Sequence, residues 1–87
     1  MAKQVIKFYA NWCGPCKMYG PTFDRVKQDL QDIIEFTEVN VENDEENLSG
    51  EYKVKGIPTT VLLEDGEIKK SQSGRMGELQ LREFILN

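Results

Sequence analysis

Eighty-seven residues leave room for one core and one domain, residues 1-87, which at this size buries only about 60% of the surface its unfolded chain exposes. Apolar, charged and aromatic residues make up 39%, 30% and 9% of the chain, a composition that excludes a disordered polymer. The net charge of -4 is small and the lysines and arginines form no basic stripe, so nucleic acid is not the expected partner.

The chain opens "MAKQVIKFYANWC", which has neither the apolar core nor the small-residue cleavage site of a signal peptide. No apolar run approaches the roughly 18 residues of a membrane span. A cytoplasmic protein with no membrane contact is the expectation. "QVIKFYA", residues 4-10, is rich in β-branched and aromatic types and reads as a strand covered on both faces, as in α/β sheets. From Pro15 to Leu30, the spacing of Phe23, Val26 and Leu30 predicts a helix with a kink at Pro21.

"IEFTEVNV", residues 34-41, is a second strand, and strand, helix, strand in that order implies a right-handed parallel crossover. "NDEENLSGEYKV" reads as a short helix capped by Asn43 or Asp44, with acidic residues in its first turn. The acidic run lacks the glycine and closing glutamate of a calcium loop, and is taken as a solvated helix start. In "TTVLLEDGEIKKS" the pair Asp65-Gly66 between strand-like runs predicts a tight hairpin. "GELQLREFIL" closes the chain as a helix with Leu81, Phe84 and Ile85 facing inward. The order is βαβαββα, an α/β fold.

The chain has two cysteines and no histidine, and both cysteines fall in "YANWCGPCKMYGP". Cys13-Gly14-Pro15-Cys16 lies where the first strand hands over to the first helix. A thiol at a helix N-terminus meets unpaired backbone N-H groups and the positive end of the dipole, both of which favour thiolate. Lys17 adds positive charge, Pro15 suits an early helical position, and Gly14 permits the turn. Lowering a thiol pKa from about 8.5 to about 7 raises the thiolate fraction at neutral pH roughly 16-fold, at a cost of roughly 6-fold in nucleophilicity. The larger benefit is proximity, since a second thiol stands ready to resolve a mixed disulfide. A plain disulfide staple is the alternative, although so short a loop stabilises least, on the order of 2 kcal/mol. A zinc site within one chain lacks ligands, a metal or iron-sulfur centre shared between chains stays open, and haem attachment fails because Lys17 follows Cys16.

The run "WCGPCK", Trp12 to Lys17, resembles the active site of the thioredoxin family. Pro21 matches that family's helix-kinking proline, "KGIPT" (Lys55 to Thr59) its cis-proline loop, Gly66 its hairpin glycine, and Gly74 the glycine that leaves space for a bound substrate chain. The resemblance implies a compact thioredoxin-like fold with an about four-stranded mixed sheet flanked by helices. It also implies substrate docking around Cys13 at Trp12, Ile57, Pro58 and Gly74, with main-chain pairing to the proline loop. Two features depart from the family pattern. The sequence starts directly at the strand before the cysteines, like compact members known from archaea, bacteria and phages. In addition, Lys7 stands where the family usually has a buried aspartate, and Glu38 where it has that aspartate's lysine. A charge-reversed Lys7-Glu38 pair behind the cysteines follows as a hypothesis, against the alternative that Lys7 snorkels to solvent.

The resulting expectation is a monomeric general protein disulfide reductase in which Cys13 attacks, Cys16 resolves, and no cofactor or metal is bound. By the same resemblance, its partners are disulfide-containing proteins and a thioredoxin reductase, a flavoprotein fed by NADPH. A glutathione-dependent, glutaredoxin-like enzyme and a redox-independent binding subunit are the rival readings. Met18, Tyr19 and Met76 are candidates for the rim of the docking surface, with plain packing preferred for each.

Overall fold

In the computed structural model, which describes residues 2-87, the first β-branched and aromatic run forms β1 (Lys3–Tyr9). Val5, Ile6, Lys7 and Phe8 are all buried, as a strand paired along both edges and covered on both faces requires. β1 pairs in parallel with β2 (Glu35–Asn40) and antiparallel with β3 (Thr59–Glu64). β4 (Glu67–Ser73) completes a four-stranded mixed sheet in the order β2-β1-β3-β4. The helices are α1 (Gly14–Leu30), α2 (Leu48–Glu51) and α3 (Glu78–Leu86). The expected βαβαββα order and mixed α/β sheet are what the chain forms.

α1 holds Tyr19, Phe23 and Val26 on one buried face, at the spacing that brings side chains together on a helix. They pack on Val5 and Leu62 of the sheet and on Leu81 and Ile85 of α3. The Phe23 ring lies 5.8 Å from that of Tyr19 and 5.7 Å from that of Phe36, tilted and edge-on contacts that add about 0.5–1.5 kcal/mol each beyond burial. Arg25 and Arg82 tie the two helices at the surface, through Glu78 at 3.0 Å and Asp29 at 2.6 Å respectively. Phe84, expected to face inward with Leu81 and Ile85, is only half-buried, because its place on α3 turns it to the rim. α1 continues through Pro21, which has no N-H to give the carbonyl of Lys17.

The other face of the sheet buries Ile6, Phe8, Val39, Val61 and Leu63 under half-buried residues of the segment between β2 and β3. This is where the sequence reading needs correction. The acidic run does not open a helix: Val41–Asn43 form a single 3-10 turn, and α2 begins only at Leu48. Asn43 caps nothing, and Asn47 takes the cap position in a left-handed conformation without a side-chain bond. Asp44 satisfies the exposed donors instead, accepting from the N-H groups of Leu48 at 2.9 Å and Ser49 at 2.8 Å. The carboxylate reaches across the loop, so the intervening residues need not be helical. The predicted hairpin turn is present, with Asp65 at φ 54° and Gly66 at φ 85°, the positive pair a two-residue turn demands.

Candidate active site

β1 runs out of hydrogen-bonded sheet at Tyr9, and the chain turns through Ala10, whose carbonyl accepts from the N-H of Cys13 at 3.2 Å. Cys13 is the N-cap of α1, in an extended conformation, and its sulfur accepts from the N-H of Cys16 at 3.2 Å. Pro15 occupies one of the first two helical positions, where its missing N-H costs nothing. The two cysteines are joined as a disulfide, their Cα atoms 5.2 Å apart. Each is only 5% exposed. The helix start therefore places a backbone donor on the Cys13 sulfur, a contact of the kind that favours negative charge on sulfur.

The loop before β3 faces this pair from the other cover of the sheet. Ile57 packs against Ala10, Cys13 and Cys16, and its carbonyl oxygen lies 3.9 Å from the Cys13 sulfur. The Ile57-Pro58 peptide bond is cis. Gly74, at φ 89°, donates its N-H to the carbonyl of Pro58 at 2.8 Å, a backbone conformation that a residue with a Cβ adopts only under strain. Trp12, bonded to Cys13, is 66% exposed. The residues singled out for docking thus gather at one end of the sheet, around the buried sulfurs.

Behind the sulfurs, strand register sets Lys7 opposite Glu38 on β2 and Thr60 on β3. Lys7 is 5% exposed, and its Nζ lies 3.0 Å from Glu38 Oε1. The expected pair is therefore present, and the snorkelling alternative is not what the chain adopts. It is buried at one end only: Glu38 keeps 32% of its side chain exposed and also has Lys27 at 3.7 Å. The reason is that β2 is an edge strand. Nearby, the buried hydroxyls of Tyr19 and Thr60 meet at 2.7 Å. Burial pushes the Tyr19 phenol up to about 12, against the opposing pull of the Thr60 bond.

A cleft of about 220 Å³ reaches Cys16 between Lys7, Tyr9, Ala10, Asn11 and Lys17. A larger, open hollow of about 510 Å³ runs along β2 and the acidic turn but contains neither cysteine, so only the smaller cleft reaches a sulfur, that of Cys16. Tyr9, Ala10, Asn11 and Thr60 were not singled out from the sequence. The period of two along β1 puts Tyr9 on the same face as Lys7, whereas Thr60 is visible only once the register is known. Tyr19 and Met76 are buried in the core, as packing predicts, but Met18 is 60% exposed, since it falls on the outer side of α1. Among the described residues, no group of three or more His, Cys, Asp or Glu side chains could hold a metal ion, and no helix is long and apolar enough to cross a membrane.

Comparison with known proteins agrees with this geometry. The family model described as Thioredoxin matches residues 1–87. A thioredoxin of Mycoplasmoides gallisepticum is 42% identical over 84 residues, covering 95% of this chain and 81% of that relative. One from Bacillus subtilis is 35% identical over 78 residues, covering 90% and 74%. Among solved structures, a thioredoxin of Fasciola hepatica superposes with a TM-score of 0.87 at 34% identity, covering 97% of this chain and 78% of that one. On this evidence the chain belongs to the thioredoxin family, and its cysteine pair is the redox-active disulfide of a thiol-disulfide oxidoreductase.

Proposed function

We propose that residues 1-87 work as a single-domain, monomeric, cytoplasmic protein disulfide reductase of broad target range, with Cys13 as nucleophile and Cys16 as resolving thiol. The Cys13 thiolate attacks a target disulfide, forming a Cys13-target bond and releasing one target thiolate, which takes up a proton. Cys16 then loses its proton and attacks the Cys13 sulfur. The mixed disulfide breaks, the second target thiolate leaves, and two electrons have passed from the chain to the target. The carrying observation is the asymmetry between the sulfurs: Cys13 caps α1 and receives the Cys16 N-H, which favours its thiolate. Gly14 and Pro15 supply the turn and the first helical turn that make this cap, and Lys17 adds positive charge beside it.

Trp12, Ile57, Pro58 and Gly74 form the docking surface in this reading, with the target chain laid along the proline loop as an added strand. Support comes from the contact of Ile57 with both cysteines and from the tie between Gly74 and Pro58. The exchange itself needs no bound cofactor. Family membership brings disulfide-bearing targets and a reductase that returns the electrons, and in this proposal that reductase is a flavoprotein fed by NADPH.

The deciding experiment follows reduction of an insulin-type protein disulfide with dithiothreitol as donor, and with glutathione plus glutathione reductase, for wild type and Cys13→Ser. Turnover with dithiothreitol, poor coupling to glutathione and abolition by Cys13→Ser is the expected result. Efficient glutathione coupling would instead assign a glutaredoxin-like enzyme, and no reduction with either donor would assign a binding role.

A further inference from the structure

Once the sulfurs have their roles, one buried charge has none. An ammonium under a helix is costly unless held, and Lys7 is held by Glu38 at 3.0 Å and by the rings of Phe23 and Tyr9, whose centroids lie 4.8 and 5.2 Å from its Nζ. Packing alone does not call for a lysine here, because an apolar side chain of similar volume fills such a space at no greater cost. Its position is more telling. Lys7 and Cys16 are both wall residues of the 220 Å³ cleft, a volume that admits several waters.

The charged and titratable groups that line this cleft or surround Lys7 and its Glu38 partner come from three elements. β1 contributes Tyr9 beside Lys7, β2 contributes Glu38, and α1 contributes Lys17, Lys27 and the Tyr19 phenol. β3 contributes only the uncharged Thr60. The single carboxylate among them is shared between Lys7 and Lys27 and is about one-third exposed, where solvent screens it. Lys7 and Lys17, the charged side chains that line the cleft together with Cys16, are both cationic.

We propose that Lys7 is a positioning residue for the resolving step, its ammonium stabilising the Cys16 thiolate while the cleft carries the released proton to solvent. The proposal rests on the exchange reading above. The Cys16 thiol gives its proton to water in the cleft, and the thiolate electron pair forms the bond to the Cys13 sulfur. The bond from Cys13 to the target breaks, and the target sulfur leaves with its electron pair and takes a proton from solvent. In this step Lys7 acts through its charge, and the proton passes to the cleft water rather than to a carboxylate.

The test separates charge from packing. In the reduced Cys13→Ser chain Cys16 is the sole thiol, and its titration is read from thiolate absorbance without any turnover. Adding Lys7→Met, which keeps the apolar stem, raises the midpoint by about one pH unit. In the chain with both cysteines, Ellman's reagent releases one chromophore as Cys13 attacks and a second as Cys16 closes the ring. The second phase slows about tenfold at neutral pH in Lys7→Met and recovers above the new midpoint. Lys7→Gln, which can still hydrogen-bond to Glu38, behaves as Lys7→Met does and carries the test if Lys7→Met does not fold. Lys7→Arg restores the wild-type profile. An unmoved midpoint, or a loss of closure rate equal at every pH, reduces Lys7 to packing and overturns the proposal. Failure of the exchange reading itself shows separately, as absent insulin reduction by wild type.

Discussion

Under α1 and α3 the sheet buries nine side chains in one continuous core, whereas its other face buries five beneath residues that are themselves half-exposed. The active site is assembled from both covers. Its cysteines open α1, which is anchored by Tyr19, Phe23 and Val26. Its proline loop belongs to the segment after β2, whose regular structure is one 3-10 turn and a four-residue helix. The sulfurs are thus held by the densely packed half of the molecule and the proline loop by the lightly packed half. Low burial and little regular hydrogen bonding put the second half at the low end of local stability.

Matched substitutions on the two faces give the largest expected effect. Phe23→Ala removes a fully buried ring from the thick core and is expected to cost about 3–5 kcal/mol, much of the stability of a small domain. Tyr52→Ala, opposite, takes away a half-buried ring 6.3 Å from that of Phe8 and is expected to cost about 1–2 kcal/mol. Denaturant midpoints for both variants decide the matter, and equal costs would remove the contrast between the faces.

A smaller effect sharpens the contrast through pH. The Tyr19 phenol is pushed up to about 12 from its ordinary 10 by burial, so its folded-state pKa lies above its unfolded one. Its contribution is complete below pH 10 and is lost as pH rises through about 12, a change on the order of 3 kcal/mol. Tyr19→Phe abolishes that alkaline slope and costs about 1–2 kcal/mol at neutral pH, because the buried Thr60 hydroxyl loses its partner. Alkaline denaturation curves for the two proteins provide the check.

The smallest effect is expected on the thin side. The N-H of Ser49 is the main cause that holds the Asp44 carboxyl below its usual range; desolvation pushes back as the next largest effect, and the N-H of Leu48 and the Ser49 hydroxyl add to the lowering. A depressed folded-state pKa means that Asp44 stabilises above about pH 4 and loses that contribution as pH falls through the folded value. Asp44→Ala is therefore expected to be less stable than wild type at neutral pH, with the gap closing in acid. A gap independent of pH would point to loop geometry rather than charge.

Much of this protein is decided locally, and that part is open to a reader of the sequence alone. The two-sided apolar run of β1, the stripe of Phe23 and Val26 on α1 and the Asp65-Gly66 turn each rest on periodicity or on a backbone preference within a few residues. The Cys13-Gly14-Pro15-Cys16 motif is equally local, because a strand-to-helix junction of this kind brings its own donors to the sulfur. The acidic run misleads for a related reason: its composition suits a helix start, but Asp44 satisfies the donors of Leu48 and Ser49 from a distance. Lys7 and Glu38 are suggested by comparison with a family pattern, yet the sequence does not say that one is buried and the other half-exposed. That difference arises because β1 lies inside the sheet and β2 at its edge. The meeting of Tyr19 with Thr60, the approach of Ile57 to Cys13 and the cleft joining Lys7 to Cys16 join residues tens of positions apart or on different elements. Only strand register and the packing of α1 across the sheet bring such groups within a few ångströms, and no short-range preference encodes either.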